Sequence, residues 1–157
     1  MSNDYISKEV EKIITDKKFA FPLNIAMASA WCLGNLKGVN LKVLDVKKTS
    51  SLSDYFVLAS ATNFTQAKSM ADVVTVQMKE RGYEPISREG MNDADWILID
   101  FGDVIVHIFH EASRDVYDFE NLQKDAKYVE IPNSYYYSSE EAENASGESD
   151  ETERTFF

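Results

Sequence analysis

The chain has 157 residues, 44% of them hydrophobic, which suits one domain with additions and a buried core and is too apolar for a disordered protein. Its net charge of −11 repels nucleic-acid phosphates and anionic lipid, so little or no direct nucleic-acid binding and no membrane binding are expected, and a basic partner is favoured. A single cysteine, Cys32, excludes an intramolecular disulfide. The N-terminus carries no secretion signal and no apolar run is long enough to cross a bilayer, so the expected location is cytoplasmic.

In chain order, Ile6, Val10, Ile13 and Ile14 recur at helical spacing after Ser7, a candidate cap, and Pro22 interrupts the pattern. The stretch from Ile25 to Lys37 predicts a helix capped by Asn24, with Gly38 just past its end. Cys32 lies inside it and reads as a small core residue. Leu41 to Val46 and Asp54 to Ser60 predict strands joined by a polar loop. Asn63 followed by Gln66 reads as a capping box for a helix ending near Arg81-Gly82. A third strand spans Glu84 to Glu89. Beyond the hairpin described next, Ala112 to Tyr117 predicts a turn or short helix, and Asp118 a cap for a last helix, Phe119 to Ala126.

Around Gly102-Asp103, Asp95-Trp-Ile-Leu-Ile-Asp-Phe and Val-Ile-Val-His-Ile-Phe-His110 read as a hairpin with a type II′ turn. Alternation then puts Trp96, Leu98, Asp100, Ile105, His107 and Phe109 on one face. Ile97, Ile99, Phe101, Val104, Val106 and Ile108 take the other. The second face is wholly apolar and belongs against helices. The first carries a carboxylate and an imidazole, and reads as a sticky, partly exposed surface. The element order predicts an α/β fold, a mixed β-sheet with helices packed mainly on one face.

Catalytic chemistry is hard to find. Asp100-Phe-Gly102 matches a kinase metal-binding triplet, but no Gly-rich loop or catalytic loop accompanies it. His107 and His110 point to opposite sides of a strand and cannot share a metal. Asp93 and Asp95 have a spacing that could hold magnesium, and Ser60 to Asn63 occupies a phosphate-binding position, yet that turn has no glycines. No catalytic residue, metal site or cofactor is therefore assigned. The rival reading is a nucleotidyltransferase-like nucleotide- and magnesium-binding enzyme using Asp93 and Asp95. Trp96 reads equally as an ordinary core tryptophan or, amid aliphatic, aromatic and ionisable neighbours, as the centre of a protein interface.

Leu44-Asp-Val46, Ser51-Leu-Ser-Asp-Tyr-Phe-Val57, Glu89-Gly90, the hairpin from Asp95 to Phe109, and Arg114-Asp-Val-Tyr-Asp-Phe-Glu-Asn-Leu122 resemble the ribosomal silencing factor family (RsfS, also called Iojap or YbeB). The resemblance covers roughly residues 25–126. It implies a fold related to nucleotidyltransferases without their catalytic residues. It also implies binding to ribosomal protein uL14 of the large subunit, a block on small-subunit joining, and repression of translation when nutrients are short. The family's interface tryptophan carries over to Trp96; homodimerisation is left open. Ala61 stands where the family usually has Gly, and Gln123 where it usually has Trp. The expected partner-binding residues are Trp96, Leu98, Asp100, His107 and Phe109, with Arg88 and Glu89 at the rim. Residues 1–24 are expected to be a partly helical N-terminal extension, 25–130 the silencing-factor domain, and 131–157 an acidic, disordered tail.

Overall fold

The structure, a computed structural model, describes residues 2–145. The elements in chain order are α1 (Ser2–Ile14), α2 (Leu23–Asn35), β1 (Val39–Asp45), β2 (Tyr55–Ala61), α3 (Phe64–Lys79), β3 (Ser87–Glu89), β4 (Trp96–Asp100), β5 (Val104–His110), α4 (Glu111–Tyr117), α5 (Phe119–Leu122) and β6 (Lys127–Tyr128), followed by a 3-10 turn at Asn133–Tyr135. Among the described residues the six strands form one mixed sheet ordered β3-β4-β5-β2-β1-β6. The central pair, β2 with β5, is parallel, and the other pairings are antiparallel. Both central strands are buried almost throughout, which is why they read as continuous apolar runs.

Alternation divides the core in two. Val43, Val57, Ile97, Ile99, Val106 and Ile108 face α1, α2 and α3 in the larger cluster. Leu44, Phe56, Leu58, Ile105 and Phe109 face the other way and meet Phe119 of α5. Helix α2 has no polar face because its surroundings leave it none: every residue from Asn24 to Gly34 is buried. A Schellman arrangement ends it, with Lys37 left-handed (φ 68°), Gly38 N–H donating to the Leu33 carbonyl and Lys37 N–H to that of Gly34. Helix α3 opens as expected, the Asn63 side chain accepting from Gln66 N–H at 2.8 Å.

Several expectations are corrected. Ser7 does not cap α1, which begins at Ser2; Ser7 lies inside it and accepts from Arg81 of the α3 terminus. Asn24 is not the cap of α2, which starts one residue earlier. Its side-chain amide instead donates to the Ile14 carbonyl and ties the two helices together. Helix α5 stops at Leu122, and Asp118 adopts a left-handed turn (φ 50°) without a capping bond.

The largest correction concerns the tail expected to be disordered from residue 131. Ile131 and Tyr135 are buried in the larger core, and the Tyr135 carbonyl rests against Gly34, where a Cβ would collide with it. Residues 139–145 are helical. Ser138 Oγ accepts from Glu141 N–H at 3.2 Å, and the Glu141 carboxylate accepts from Asn40 N–H at 2.8 Å. The remainder of that acidic stretch, from residue 146, lies outside the described residues. At the other end, α1 contributes Ile6, Val10 and Ile13 to the same core. The packed unit therefore runs past both expected boundaries of the 25–130 domain.

Candidate functional site

The hairpin forms in the register its alternation predicts. Trp96 lies opposite Phe109, Leu98 opposite His107, and Asp100 opposite Ile105. Gly102, at φ 91°, supplies the positive φ of a II′ turn; Phe101 N–H donates to Val104 across it, and Asp100 Oδ1 accepts from Gly102 N–H at 2.7 Å.

Trp96 sits at the surface end of an aromatic cluster. Its ring centroid is 5.1 Å from Phe109, 4.9 Å from Tyr117 and 5.6 Å from Phe119. The indole Nε1–H donates to His107 Nδ1 at 3.0 Å. That bond requires a neutral imidazole with an unprotonated Nδ1, so the ring proton belongs on Nε2. Burial, reinforced by the Arg114 charge, lowers the His107 pKa from 6.5 to about 3. Phe119 lies 4.5 Å from the imidazole. The bulky side of the indole is thus held by packing and its edge by a hydrogen bond, while the residue as a whole stays partly exposed.

A neutral, buried His107 makes the fold acid-sensitive. Its folded pKa is depressed, so the unfolded chain binds the extra proton first as pH falls. The stability is fully present above the unfolded value of 6.5 and is lost on the way down to about 3. The expected loss is about 1.4 kcal/mol per pH unit in that window. Urea denaturation at neutral pH and near pH 5 measures it. His107→Asn, which keeps an acceptor and does not titrate, should show a flatter profile; an equal slope in both proteins refutes the assignment.

Helix α4 is anchored beside this cluster by Arg114, which is 3% exposed. Its Nε donates to Glu120 at 2.7 Å, and its Nη1 donates to the Asn40 carbonyl at 2.7 Å and to Ser60 Oγ at 3.0 Å. Lys42 reaches the second oxygen of Glu120 at 2.7 Å. This anchor turns Arg114 and Phe119 inward. On the outside of the same two helices, Val116, Tyr117 and Leu122 are 80%, 42% and 74% exposed.

The expected residues therefore separate. Trp96, Leu98 and Asp100 share the outer face and are partly exposed; Glu89, opposite Leu98, shares it from the sheet edge. His107 and Phe109 share the face but lie buried beneath α5, so they support Trp96 rather than offering surface. The expected partly exposed sheet face is therefore confined to Trp96, Leu98 and Asp100 on β4 and Glu89 at the edge. Arg88 is on the wrong side: it pairs with Ile99, faces the helices, and donates to Asp72 of α3 at 2.8 Å. Tyr117, Val116 and Leu122 were missed. The signal was present in Val116-Tyr117, an apolar pair flanked by Asp115 and Asp118.

Among the described residues no group of three or more His, Cys, Asp or Glu side chains could hold a metal ion. Asp95 faces Ser113, whose Oγ lies 3.4 Å away, and Asn63 and Gln66 serve the start of α3 with their own side chains. What the face presents is a fixed aromatic surface edged by carboxylates.

Comparisons with known proteins agree on one family. The model described as "Ribosomal silencing factor during starvation" (RsfS) matches residues 22–156, leaving α1 ahead of the match. The chain is 38% identical over 90 residues to ribosomal silencing factor RsfS of Haemophilus influenzae, an alignment spanning 57% of this chain and 88% of that protein. It is 31% identical over 107 residues to the Bacillus subtilis protein of the same name, spanning 68% and 90%. A crystal structure of a Chromobacterium violaceum protein superposes with a TM-score of 0.61 at 36% identity, covering 62% of this chain and 82% of that one.

Proposed function

Because this chain belongs to the ribosomal silencing factor (RsfS) family, we propose that it docks on ribosomal protein uL14 of the large subunit through the Trp96 face. On that protein it occupies space the small subunit needs, and translation falls when nutrients are short. The action is steric and uses no catalytic step. The kinship of the fold with nucleotidyltransferases belongs to the same proposal.

One observation carries the reading. Trp96 is partly exposed, yet its ring is fixed by three aromatic neighbours and its Nε1–H by His107. A rigid aromatic anchor of this kind loses little entropy on binding, which favours it as an interface centre. The charge of −11 suits a basic ribosomal protein and opposes direct contact with ribosomal RNA.

Co-sedimentation with isolated large subunits tests the proposal, followed by subunit joining monitored by light scattering. Wild-type protein should pellet with large subunits and slow joining. Trp96→Ala should weaken binding by about 2 kcal/mol or more, roughly thirtyfold in Kd. Circular dichroism must show the variant folded, because Trp96 also packs. Wild-type protein that stays in the supernatant at micromolar concentration removes the mechanism.

A further inference from the structure

We propose that the docking surface does not end at β4 but continues over α4 and α5, where Val116, Tyr117 and Leu122 contact the same basic ribosomal protein that receives Trp96. This inference rests on the reading of Trp96 as the docking centre. Isolated exposed apolar residues are ordinary, but three on two adjoining short helices are not scattered. Tyr117 packs on Trp96, but Val116 and Leu122, largely exposed, join neither core cluster. Arg114 and Phe119 already fill the inward side of the pair, Arg114 through its bonds to Asn40, Ser60 and Glu120, and Phe119 by packing on Phe56, His107 and Phe109.

The segment joins the Trp96 site at Tyr117, whose ring lies 4.9 Å from the indole and 6.4 Å from Phe109. Its charge identifies the kind of occupant. Glu111, Asp115 and Asp118 are exposed on the same segment, and Glu89 and Asp100 flank the strand side. An apolar centre edged by carboxylates complements a protein surface with an apolar centre edged by Lys or Arg. A second copy of this acidic chain would set carboxylates against carboxylates.

The test replaces apolar contact without altering charge. The double variant Val116→Ser/Leu122→Ser is compared with wild type and with Trp96→Ala in co-sedimentation with isolated large subunits. Both positions are exposed, so the variant should unfold at nearly the wild-type temperature. It should bind tenfold or more weakly, with binding of all forms declining as salt rises. Wild-type-like binding by the double variant beside a weakened Trp96→Ala overturns the extension and leaves the Trp96 reading standing. Failure of the wild type to pellet overturns both. Analytical ultracentrifugation of the free proteins supplies the remaining check: a wild-type dimer that the double variant converts to monomer, with subunit binding unchanged, assigns the patch to self-association and refutes the proposal.

Discussion

Gly90→Ala is expected to destabilise the protein by about 3 kcal/mol or more and to shift the fluorescence of Trp96. Two effects combine. Gly90 has φ 79°, a left-handed conformation that costs an alanine roughly 1 kcal/mol. A Cβ there would also overlap the Trp96 carbonyl and press on the Cα of Ile97. Both are backbone atoms inside β4 and cannot swing aside as a side-chain tip would. The loop from Gly90 to Asp95 must then give way, including the bond from Ala94 N–H to the Gly90 carbonyl. Gly82 provides an internal control, with φ 87° and nothing within 4 Å of an added Cβ. Gly82→Ala should therefore show the conformational cost alone. Chemical denaturation of both variants separates the two effects, and equal losses would mean that the close approach to Trp96 is unimportant.

Arg114→Met should cost about 3–5 kcal/mol, the range for removing one partner of a buried ion pair. The substitution keeps the aliphatic bulk but leaves the Asn40 carbonyl and Ser60 Oγ without their donor, and leaves Glu120 to Lys42 alone. Urea denaturation at neutral pH measures the loss; a change below about 1 kcal/mol would show that the network contributes little. The pH profile supplies a second reading. Burial alone would raise the Glu120 pKa, but the hydrogen bonds and charges of Arg114 and Lys42 prevail and lower it from 4.5. Stability from this carboxylate is therefore complete above 4.5 and lost as pH falls through the lower folded value. Without Arg114 that acid-side loss should shrink.

The hairpin was legible to the residue because three local rules agree there: Gly at the first turn position, β-branched flanks and strict alternation. Trp96, Leu98 and Asp100 accordingly lie on the strand face that alternation assigns them. Arg88 was misplaced because its face depends on the register between β3 and β4, which no turn signal dictates across the intervening loop. His107 and Phe109 belong to the expected face, but their burial depends on the left-handed turn at Asp118, which lays Phe119 over them. Alternation within a strand cannot reveal what a later helix will cover. The C-terminal misreading has a different origin. Composition from Ser138 onward is that of a disordered tail, yet Ser138-Ser-Glu-Glu141 carries the spacing of a helix start. Upstream of it, Gly34 marks the close approach of Tyr135, a long-range contact with no local signature.

The parallel seam between β2 and β5 also governs how the chain comes off the ribosome that makes it. The β1–β2 and β4–β5 pairs are neighbours in sequence and can form early, but β2 must wait for the whole of α3, β3 and β4 before its second edge is filled. At roughly 5–20 residues per second, that wait lasts several seconds. During it, Tyr-Phe-Val-Leu-Ala-Ser-Ala exposes a row of unpaired backbone groups on a strand that ends up entirely buried. Edges of this kind recruit other strands readily. The order of synthesis, more than the stability of the finished sheet, therefore sets the moment at which the chain is most prone to aggregate.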